Sequence, residues 1–237
     1  MDHPKFSIII PVLHEAGRIN GLIDHLRQLD SEKSSEIIVV DGAPEEDTLR
    51  AIRDDTIMKL STEKGRARQM NAGASVARGD FLIFLHADTE LPLSALKRMN
   101  AFTNRHEIVG GAFDLGIKSD KVVFKVFAFL GSLRSRLNRI PYGDQAIFIR
   151  SDYFREVGGY KDIPLMEDVE LMRRVKRSGK KTVMFRDRVM TSPRRWEEEG
   201  LLYCILRNWA LQILYFLGVS PHKLVNFYKS DYLRRRG

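Results

Sequence analysis

The chain has 237 residues, 43% of them hydrophobic, which is enough for one large domain with a buried core. A single cysteine, Cys204, excludes an internal disulfide, gives no basis for structural zinc and favours a reducing cytoplasmic setting. The formal net charge of +8 comes from the C-terminal third, because residues 171–237 hold 16 Lys and Arg against 5 Asp and Glu. Such a segment suits nucleic acid, an anionic membrane or a diphosphate, and charge alone does not choose among them.

Short β-branched runs alternate with helical patterns in the first half of the chain. We expect no signal peptide at the start, because a short polar stretch leads into the apolar run 6–11, which is too short and wrongly flanked for one and is expected to be a core strand. The expected strands span residues 6–11, 36–40, 57–60 and 81–85, and the expected helices span 15–29, 45–54 and 66–77. This rhythm predicts an α/β fold with a mainly parallel sheet covered by helices on both faces.

The rhythm changes after residue 90. A helix is expected to open near Pro92, and it is followed by an extended segment, a helix, a short strand and a helix that ends at Gly179. These last four elements are expected at residues 109–117, 122–137, 146–150 and 168–178.

The apolar stretch 201–217 is interrupted by Arg207, Asn208 and Gln212, which makes it a poor membrane-spanning segment. An amphipathic, interfacial helix fits its composition, and ordinary packing against the domain fits equally well. We therefore divide the chain into a domain over residues 1–196 and a basic, amphipathic helical extension over 197–237.

Three predicted parallel strands end in polar residues, at 11–15, 41–42 and 86–88. The carboxyl ends of parallel strands form the usual ligand crevice of an open α/β sheet. The first strand lacks the glycine-rich turn that a dinucleotide-binding fold needs. Asp41 follows a buried-looking run, and its carboxylate suits a nucleobase imide or a ribose hydroxyl, although a turn or cap would also use it.

His86 and Asp88 follow a hydrophobic strand two residues apart, so alternation points both to one side. A carboxylate with an imidazole is a reasonable anchor for Mn²⁺ or Mg²⁺, whose other ligands would be diphosphate oxygens and water. Alone the pair is a weak motif. The segment 64–73 strengthens it, because Arg66 and Asn71 lie near a helix start, where phosphate or ribose is readily bound.

Glu167 and Asp168 open a predicted helix. There they would complement the positive end of the helix dipole, which is a purely structural role. In a catalytic role Asp168 would act as a general base on an acceptor hydroxyl, with Glu167 positioning the acceptor or the base.

Two further segments are candidates for the acceptor or donor-sugar side of the site. Asp144 and Gln145 lie in a turn before a strand, and a simple turn explains them equally well. Arg195 and Trp196 combine a guanidinium group with an aromatic wall, which suits a phosphate-bearing ligand or a half-buried surface cluster.

Together these motifs resemble the family 2 glycosyltransferases, which have the GT-A fold, over roughly residues 6–196. The motifs are Pro11-Val12-x-x-Glu15, Val40-Asp41-Gly42, Gly65-Arg66-Ala67-x-Gln69-x-Asn71-x-Gly73, Phe84-Leu85-His86-Ala87-Asp88-Thr89 and Glu167-Asp168. Further motifs, including Gly143-Asp144-Gln145 and Ser192-x-Arg194-Arg195-Trp196, resemble a bacterial subfamily labelled for arsenosugar biosynthesis.

The resemblance implies roles for individual residues. Nucleotide contacts are implied at Pro11, Val12, Glu15, Asp41 and Arg66, metal binding at Asp88 and the catalytic base at Asp168. His86 departs from the family pattern, which often has an aspartate there.

The resemblance also implies an inverting, metal-assisted enzyme that moves a hexose-type unit from a nucleoside diphosphate donor, with UDP as the expected nucleotide, to a hydroxyl acceptor. The acceptor is expected to be a small molecule or lipid-linked, and no nucleic-acid partner is expected. The basic C-terminal helix suits contact with the inner face of the membrane or a homodimer.

Two other functions are weighed against this one. A nucleotidyltransferase would need a glycine-rich, lysine-bearing loop after the first strand, and residues 14–18 are a poor substitute. A non-catalytic nucleotide-sugar-binding or membrane-docking module would bind the donor without transferring the sugar.

Overall fold

The structure is a computed structural model that describes residues 3–30, 32–103 and 105–234. Its strands are β1 (Phe6–Val12), β2 (Ser35–Asp41), β3 (Met58–Ser61), β4 (Phe81–Phe84), β5 (Thr89–Glu90), β6 (Ile108–Ile117), β7 (Phe148–Arg150) and β8 (Lys181–Thr191). Its helices are α1 (Ile19–Leu29), α2 (Asp47–Ala51), α3 (Arg66–Val76), α4 (Ala95–Asn100), α5 (Val122–Asn138), α6 (Ser151–Glu156), α7 (Glu167–Arg177), α8 (Arg194–Glu199), α9 (Leu201–Phe216) and α10 (Pro221–Arg234). A short 3₁₀ turn covers Gly143–Gln145.

The eight strands form one sheet in the order β3-β2-β1-β4-β7-β6-β8-β5. Strands β3, β2, β1 and β4 are parallel to one another. Strand β7 runs antiparallel to β4 and β6, and β5 runs antiparallel to β8. Register pairs Val12 with Asp41 at the carboxyl end of β1 and β2. The polar residues that follow these strands are therefore delivered to the same edge of the sheet.

Both faces of the sheet are buried, as expected for strands covered by helices. Along β1, Ile8 and Ile10 join the hydrophobic cluster that includes Leu22 of α1, and Ile9 joins the cluster that includes Met70 of α3. This alternation follows the two-residue period of a strand and gives the sheet a core on each side.

Helix α3 lies unusually close to β1 because of a glycine. A Cβ atom on Gly73 would meet Cγ2 of Ile9 at 2.5 Å, so any larger side chain would push the helix away from the sheet. The close approach fixes the start of α3, at Arg66, above the carboxyl edge of the sheet.

The expected α/β fold with a mainly parallel sheet and most of the expected elements are confirmed. Two differences concern length, since α2 has only five residues and α4 begins at Ala95 rather than near Pro92. The main element that the sequence did not predict is β8, which pairs in parallel with β6. Its register slips between the Phe113–Phe185 and Asp114–Arg188 pairs, so the polar segment at 186–188 interrupts the alternation of a regular strand.

The C-terminal part of the chain forms three consecutive helices, α8, α9 and α10. The predicted domain boundary after residue 196 falls within α8. Over the described ranges of the chain, no helix has both the length and the apolar character needed to cross a bilayer.

Candidate functional site

A pocket of about 190 Å³ lies beyond the carboxyl ends of the central strands. It contains eight of the residues that the sequence singled out: Arg66, His86, Asp88, Asp144, Glu167, Asp168, Arg195 and Trp196. Residues that are far apart in the chain therefore share one cleft. The remaining predicted site residues lie at the adjoining strand ends or behind the pocket wall.

Asp41 ends β2 and is fully buried. Its Oδ1 accepts a hydrogen bond from the Ala43 main-chain N–H at 2.8 Å, and its Oδ2 has no partner among the described protein atoms. A buried acceptor without a partner is energetically unfavourable, so such an atom is expected where a ligand can donate to it. This geometry fits a donor group of a nucleobase or ribose.

Gln69 is a structural residue of this edge that sequence reasoning did not single out as a site residue. Its Nε2 donates to the carbonyl oxygens of both Val12 and Val40 at 2.8 Å, which ties the ends of β1 and β2 to α3. A Cβ on Gly42 would lie 3.0 Å from the Gln69 side chain. The signal was present in the sequence, because Gln69 lies within the same motif as Arg66 and Asn71.

Pro11 and Val12 form the end of β1, and Val12 is buried there. Beyond them, the Glu15 main-chain N–H donates to Oγ1 of Thr48 at 3.0 Å. The Glu15 carboxylate lies 3.5 Å from Nη2 of Arg194, which precedes the pocket residue Arg195. Glu15 therefore connects the β1 edge to the rim of the pocket.

His86 and Asp88 follow β4 and both face the pocket. The Ser192 main-chain N–H donates to the carbonyl oxygen of Asp88 at 3.0 Å, which holds this loop against the end of β8. Burial, together with the positive charge of Arg66, lowers the pKa of His86 to about 4, so its imidazole is neutral at pH 7.

A neutral imidazole beside a carboxylate is a suitable partial ligand set for Mn²⁺. Among the residues that the structure describes, no group of three or more His, Cys, Asp or Glu side chains is arranged to hold a metal. His86 and Asp88 thus fit a metal that takes its other ligands from a bound diphosphate and from water.

Asp168 is held in place by two main-chain groups. Gly143 N–H donates to its Oδ2 at 2.6 Å, and Val169 N–H donates to its Oδ1 at 2.7 Å. The preceding Met166 has a φ of +67°, a left-handed conformation that is unusual for a residue with a side chain. The turn before α7 is therefore built to present Asp168 to the pocket.

Two further carboxyl groups share this negative region. Burial and the Asp168 carboxylate raise the pKa of Glu167 to about 7, against the opposing effect of Arg66, whose Nη1 lies 3.9 Å from Oε1 of Glu167. Burial and Asp168 also raise the pKa of Asp144 to about 6. Perturbed carboxyl groups in a cleft are typical of functional sites.

Asn71 and Gln145 lie behind the pocket wall, with their amide groups in structural hydrogen bonds. Asn71 bonds through Nδ2 and Oδ1 to the main chain of Tyr160, at 2.8 and 2.9 Å. Gln145 accepts from Oγ of Ser135 at 2.5 Å and donates to the Phe113 carbonyl at 3.0 Å. Their predicted ligand roles remain predictions.

The C-terminal helices form one wall of the pocket. Trp196 lies with its ring 6.1 Å from that of Phe124 and 5.7 Å from that of Phe127, both on α5. Three side chains of α9, from Asn208, Leu211 and Gln212, line the pocket beside it, and Tyr228 of α10 does so too. In the sequence, Asn208 and Gln212 were identified only as interruptions of an apolar stretch and were not assigned to the site.

A charged network fixes this wall. Nη1 of Arg207 lies 2.6 Å from Oε2 of Glu199, and Nε of Arg195 lies 3.5 Å from Oε1 of the same carboxylate. Both guanidinium groups also lie 4.7 Å from the centre of the Tyr228 ring. Arg207, which interrupts the apolar stretch in the sequence, is thus a buried structural cation.

A larger cavity, of about 690 Å³, lies at the opposite, amino edge of β1 and β4. Its lining includes Lys5, Arg78 and Asp80 but none of the predicted site residues. Ligands of open α/β sheets bind at the carboxyl edge, so size alone does not make this cavity the site.

The model of the glycosyl transferase family 2 matches residues 7–156, which is more than half of the chain. The chain belongs to this family. Among the similar curated proteins, this family 2 chain is 31% identical over 185 residues to the PGL/p-HBAD biosynthesis glycosyltransferase of Mycobacterium bovis, matching 68% of its own length. It spans 64% of the length of that relative. It is also 28% identical over 110 residues to the poly(ribitol-phosphate) beta-N-acetylglucosaminyltransferase TarS of Staphylococcus aureus, which covers 43% of the chain and 19% of TarS.

Solved structures of glycosyltransferases share the fold of this family 2 chain. The structure of S. aureus TarS 1–349 in complex with UDP matches with a TM-score of 0.64 and 18% identity, covering 89% of the chain and 65% of TarS 1–349. The mannosyltransferase PcManGT from Pyrobaculum calidifontis, in complex with GDP-Man and Mn²⁺, matches with a TM-score of 0.61 and 17% identity, covering 80% of the chain and 57% of PcManGT. At these identities the likeness identifies the GT-A fold.

Proposed function

We propose that this family 2 chain is an inverting glycosyltransferase that transfers a sugar from a nucleoside diphosphate donor to a hydroxyl acceptor. The observation that carries the proposal is the pocket itself. It brings Asp88 from the end of β4, Asp168 from the start of α7 and Arg66 from the start of α3 to one cleft. Those three residues supply a metal ligand, a base and a cation for the diphosphate.

The donor would lie along the carboxyl edge of the sheet. Asp41, with its unpartnered Oδ2, would accept a hydrogen bond from the base or ribose, next to Pro11, Val12 and Glu15. Arg66 at the start of α3 would face the diphosphate, where a helix N-terminus and a guanidinium both favour negative charge. A UDP-linked sugar is the donor we propose, and TarS in complex with UDP is a relative with that ligand.

Asp88 and His86 would hold a divalent metal, Mn²⁺ or Mg²⁺. When bound, such a cation stabilises the negative charge that develops on the leaving diphosphate. Mn²⁺ is present with GDP-Man in the PcManGT structure.

Asp168 would act as the general base. It would take the proton of the acceptor hydroxyl while the hydroxyl oxygen bonds to the anomeric carbon of the sugar. The bond between that carbon and the diphosphate oxygen would break, and the nucleoside diphosphate would leave. A single displacement of this kind inverts the anomeric configuration. Glu167 would position the acceptor or the base.

The acceptor would enter from the side of the pocket that α9 and α10 form. Arg195 and Trp196 line the pocket together with polar groups of α9, and Asp144 lines it from the 3₁₀ turn. A small molecule or a lipid-linked molecule with a free hydroxyl would fit a wall of mixed polar and aromatic character. The narrower resemblance to the subfamily labelled for arsenosugar biosynthesis stays a prediction, because the similar proteins carry other names.

The experiment that tests this function compares wild type with Asp168→Asn. Asparagine has the same shape, but its single amide oxygen can accept from only one of the two main-chain N–H groups, of Gly143 and Val169, that bond Asp168. Thermal unfolding therefore checks that the variant keeps its fold, and its donor affinity should be retained. Turnover, measured as nucleoside diphosphate release with a panel of hydroxyl acceptors, should fall about 10²- to 10⁴-fold. Unchanged turnover would remove Asp168 as the base, and a wild-type chain that binds donor but never turns over would be a binding module.

A further inference from the structure

Helix α5 exposes a row of apolar side chains. Its inward side buries Phe124 and Ala128 together with Ser132 and Ser135. The outward side carries exposed apolar residues at helical spacing: Val122, Val126, Phe129, Leu130, Leu133 and Leu137. A helix that rests on a soluble domain normally has a polar outward side.

Helix α9 also has an apolar outward side. Its buried side includes Arg207, Cys204 and Leu211. Its outward side carries Leu202, Leu206, Trp209, Ile213 and Phe216, with Trp209 59% exposed. We call the outward residues of both helices the α5–α9 apolar surface.

The two helices are linked to each other and flank the same pocket. Trp196 of α8 packs against Phe124 and Phe127 of α5, and α9 begins two residues after α8 ends. Tyr142, which follows α5, and Gln212 of α9 both line the pocket. The apolar surface therefore borders the proposed acceptor side of the site.

The charge of these helices favours an anionic partner. None of the 31 acidic residues of the chain lies within α5 or α9, and Lys125 and Arg139 are exposed in and beside α5. Residues 201–237 hold six Lys and Arg against one Asp in the sequence, and one of the six, Arg207, is buried in its ion pair with Glu199. Apolar side chains including Trp and Phe, flanked by basic ones, are typical of elements that lie in a membrane interface.

We propose that the α5–α9 apolar surface docks onto an anionic lipid bilayer, with both helices lying in its interface. A second copy of the chain is a poorer occupant, because a two-fold contact would bring the same basic flanks together. Resting on the proposed function, this inference makes the acceptor a lipid-linked hydroxyl presented at the bilayer surface beside the pocket.

Co-sedimentation of the full chain with phosphatidylcholine vesicles, with and without phosphatidylglycerol, tests the proposal. The variants are Val126→Gln with Phe129→Gln on α5, and Leu206→Gln with Trp209→Gln on α9. Leu93→Gln is the matched control, since Leu93 is a 74% exposed apolar residue between β5 and α4. No donor or metal is present, so the result does not depend on whether the chain transfers sugar.

Wild type and Leu93→Gln should bind the vesicles that contain phosphatidylglycerol, and each double variant should lower the partition coefficient about tenfold or more. Thermal unfolding checks the fold of each variant. If the double variant of α9 does not fold, vesicle binding by the double variant of α5 tests the proposal. No binding of wild type, or equal binding of the α5 pair, would overturn the proposal. A wild-type dimer in light scattering that the double variants dissociate, without vesicle binding, would assign the surface to a second copy instead.

Discussion

The Gly143 main-chain N–H donates to Oδ2 of Asp168 over 2.6 Å, which joins the turn after α5 to the first residues of α7. A Cβ atom on Gly143 would lie 2.9 Å from Nε2 of His86 and 3.5 Å from Oδ2 of Asp168. The proposed base, Asp168, and the imidazole of His86 therefore both lie close to Gly143, where there is no room for a side chain.

This contact predicts that Gly143→Ala displaces His86 and weakens the bond to Asp168. Because small misplacements of catalytic groups have large effects, we expect kcat to fall about tenfold or more. Gly21→Ala in α1 is the control, since no described atom lies within 4 Å of its added Cβ. Steady-state kinetics and thermal unfolding of both variants check the prediction. Equal kcat for Gly143→Ala and wild type would contradict it.

Asp41→Asn tests the role of the unpartnered carboxylate oxygen. The amide oxygen can still accept the Ala43 N–H, so the free energy of unfolding should change little. A hydrogen bond from a nucleotide to a charged acceptor contributes about 1.5–3 kcal/mol, so the affinity for UDP should fall about 10- to 100-fold. Calorimetric titration with UDP measures this affinity. An unchanged affinity would show that Asp41 stabilises the turn after β2 and does not bind the nucleotide.

The raised pKa of Glu167 leads us to expect that the stability of the protein depends on pH. Its pKa is raised from 4.5 to about 7 by burial and by Asp168, so its contribution to stability is complete below pH 4.5 and is lost as the pH rises towards 7. A neutral Glu167→Gln variant does not lose that contribution. Its unfolding midpoint relative to wild type should therefore be higher at about pH 8 than at about pH 4.

Thermal unfolding without metal or nucleotide makes this measurement. Glu170→Gln in the same helix is the control, because Glu170 is not among the residues that line the pocket and pairs with Arg174 at 2.8 Å and with Lys161 at 3.0 Å. A difference between Glu167→Gln and wild type that does not vary with pH would contradict the raised pKa.

The sequence predicted well which candidate residues lie at the carboxyl edge of the sheet, because they follow short, strongly apolar strands. Asp41, His86 and Asp88 could be placed by strand ends alone, and register confirms the common edge. The wall formed by α9 could not be predicted in this way. In the sequence, the polar residues of α9 fitted the solvent-facing side of an interfacial helix. Periodicity identifies a face of a helix but not what that face packs against.

Strand β8 shows a second limit. The polar segment around Asp187 interrupts the alternation of apolar and polar residues by which a strand is recognised in a sequence. The pairing of β8 with β6 joins residues about 70 positions apart, so local sequence does not reveal it. Likewise the structural partner of Asn71, the main chain of Tyr160, lies far along the chain, so a local motif suggests a ligand role without revealing the contact.

The α9 wall predicts which side chains select the acceptor. Asn208 and Gln212 line the pocket, and its lining includes no residue of β1 or β2, where the nucleotide is proposed to bind. Replacing either with Ala removes a neutral hydrogen-bonding group, so the acceptor KM should rise about 3- to 10-fold while the UDP affinity stays unchanged. Equal losses of acceptor and donor binding would show that α9 supports the whole pocket instead of the acceptor alone.

The most direct test of the central claim is calorimetric titration of UDP into wild type and Asp88→Asn, each with and without Mn²⁺. The account predicts that Mn²⁺ raises the affinity of wild type for UDP by at least about tenfold, equivalent to about 1.4 kcal/mol, and that Asp88→Asn abolishes this gain. The same Mn²⁺ dependence in both proteins would remove Asp88 from the metal site. No binding of UDP or other nucleoside diphosphates to wild type, with or without Mn²⁺, would contradict the nucleotide-sugar transferase assignment.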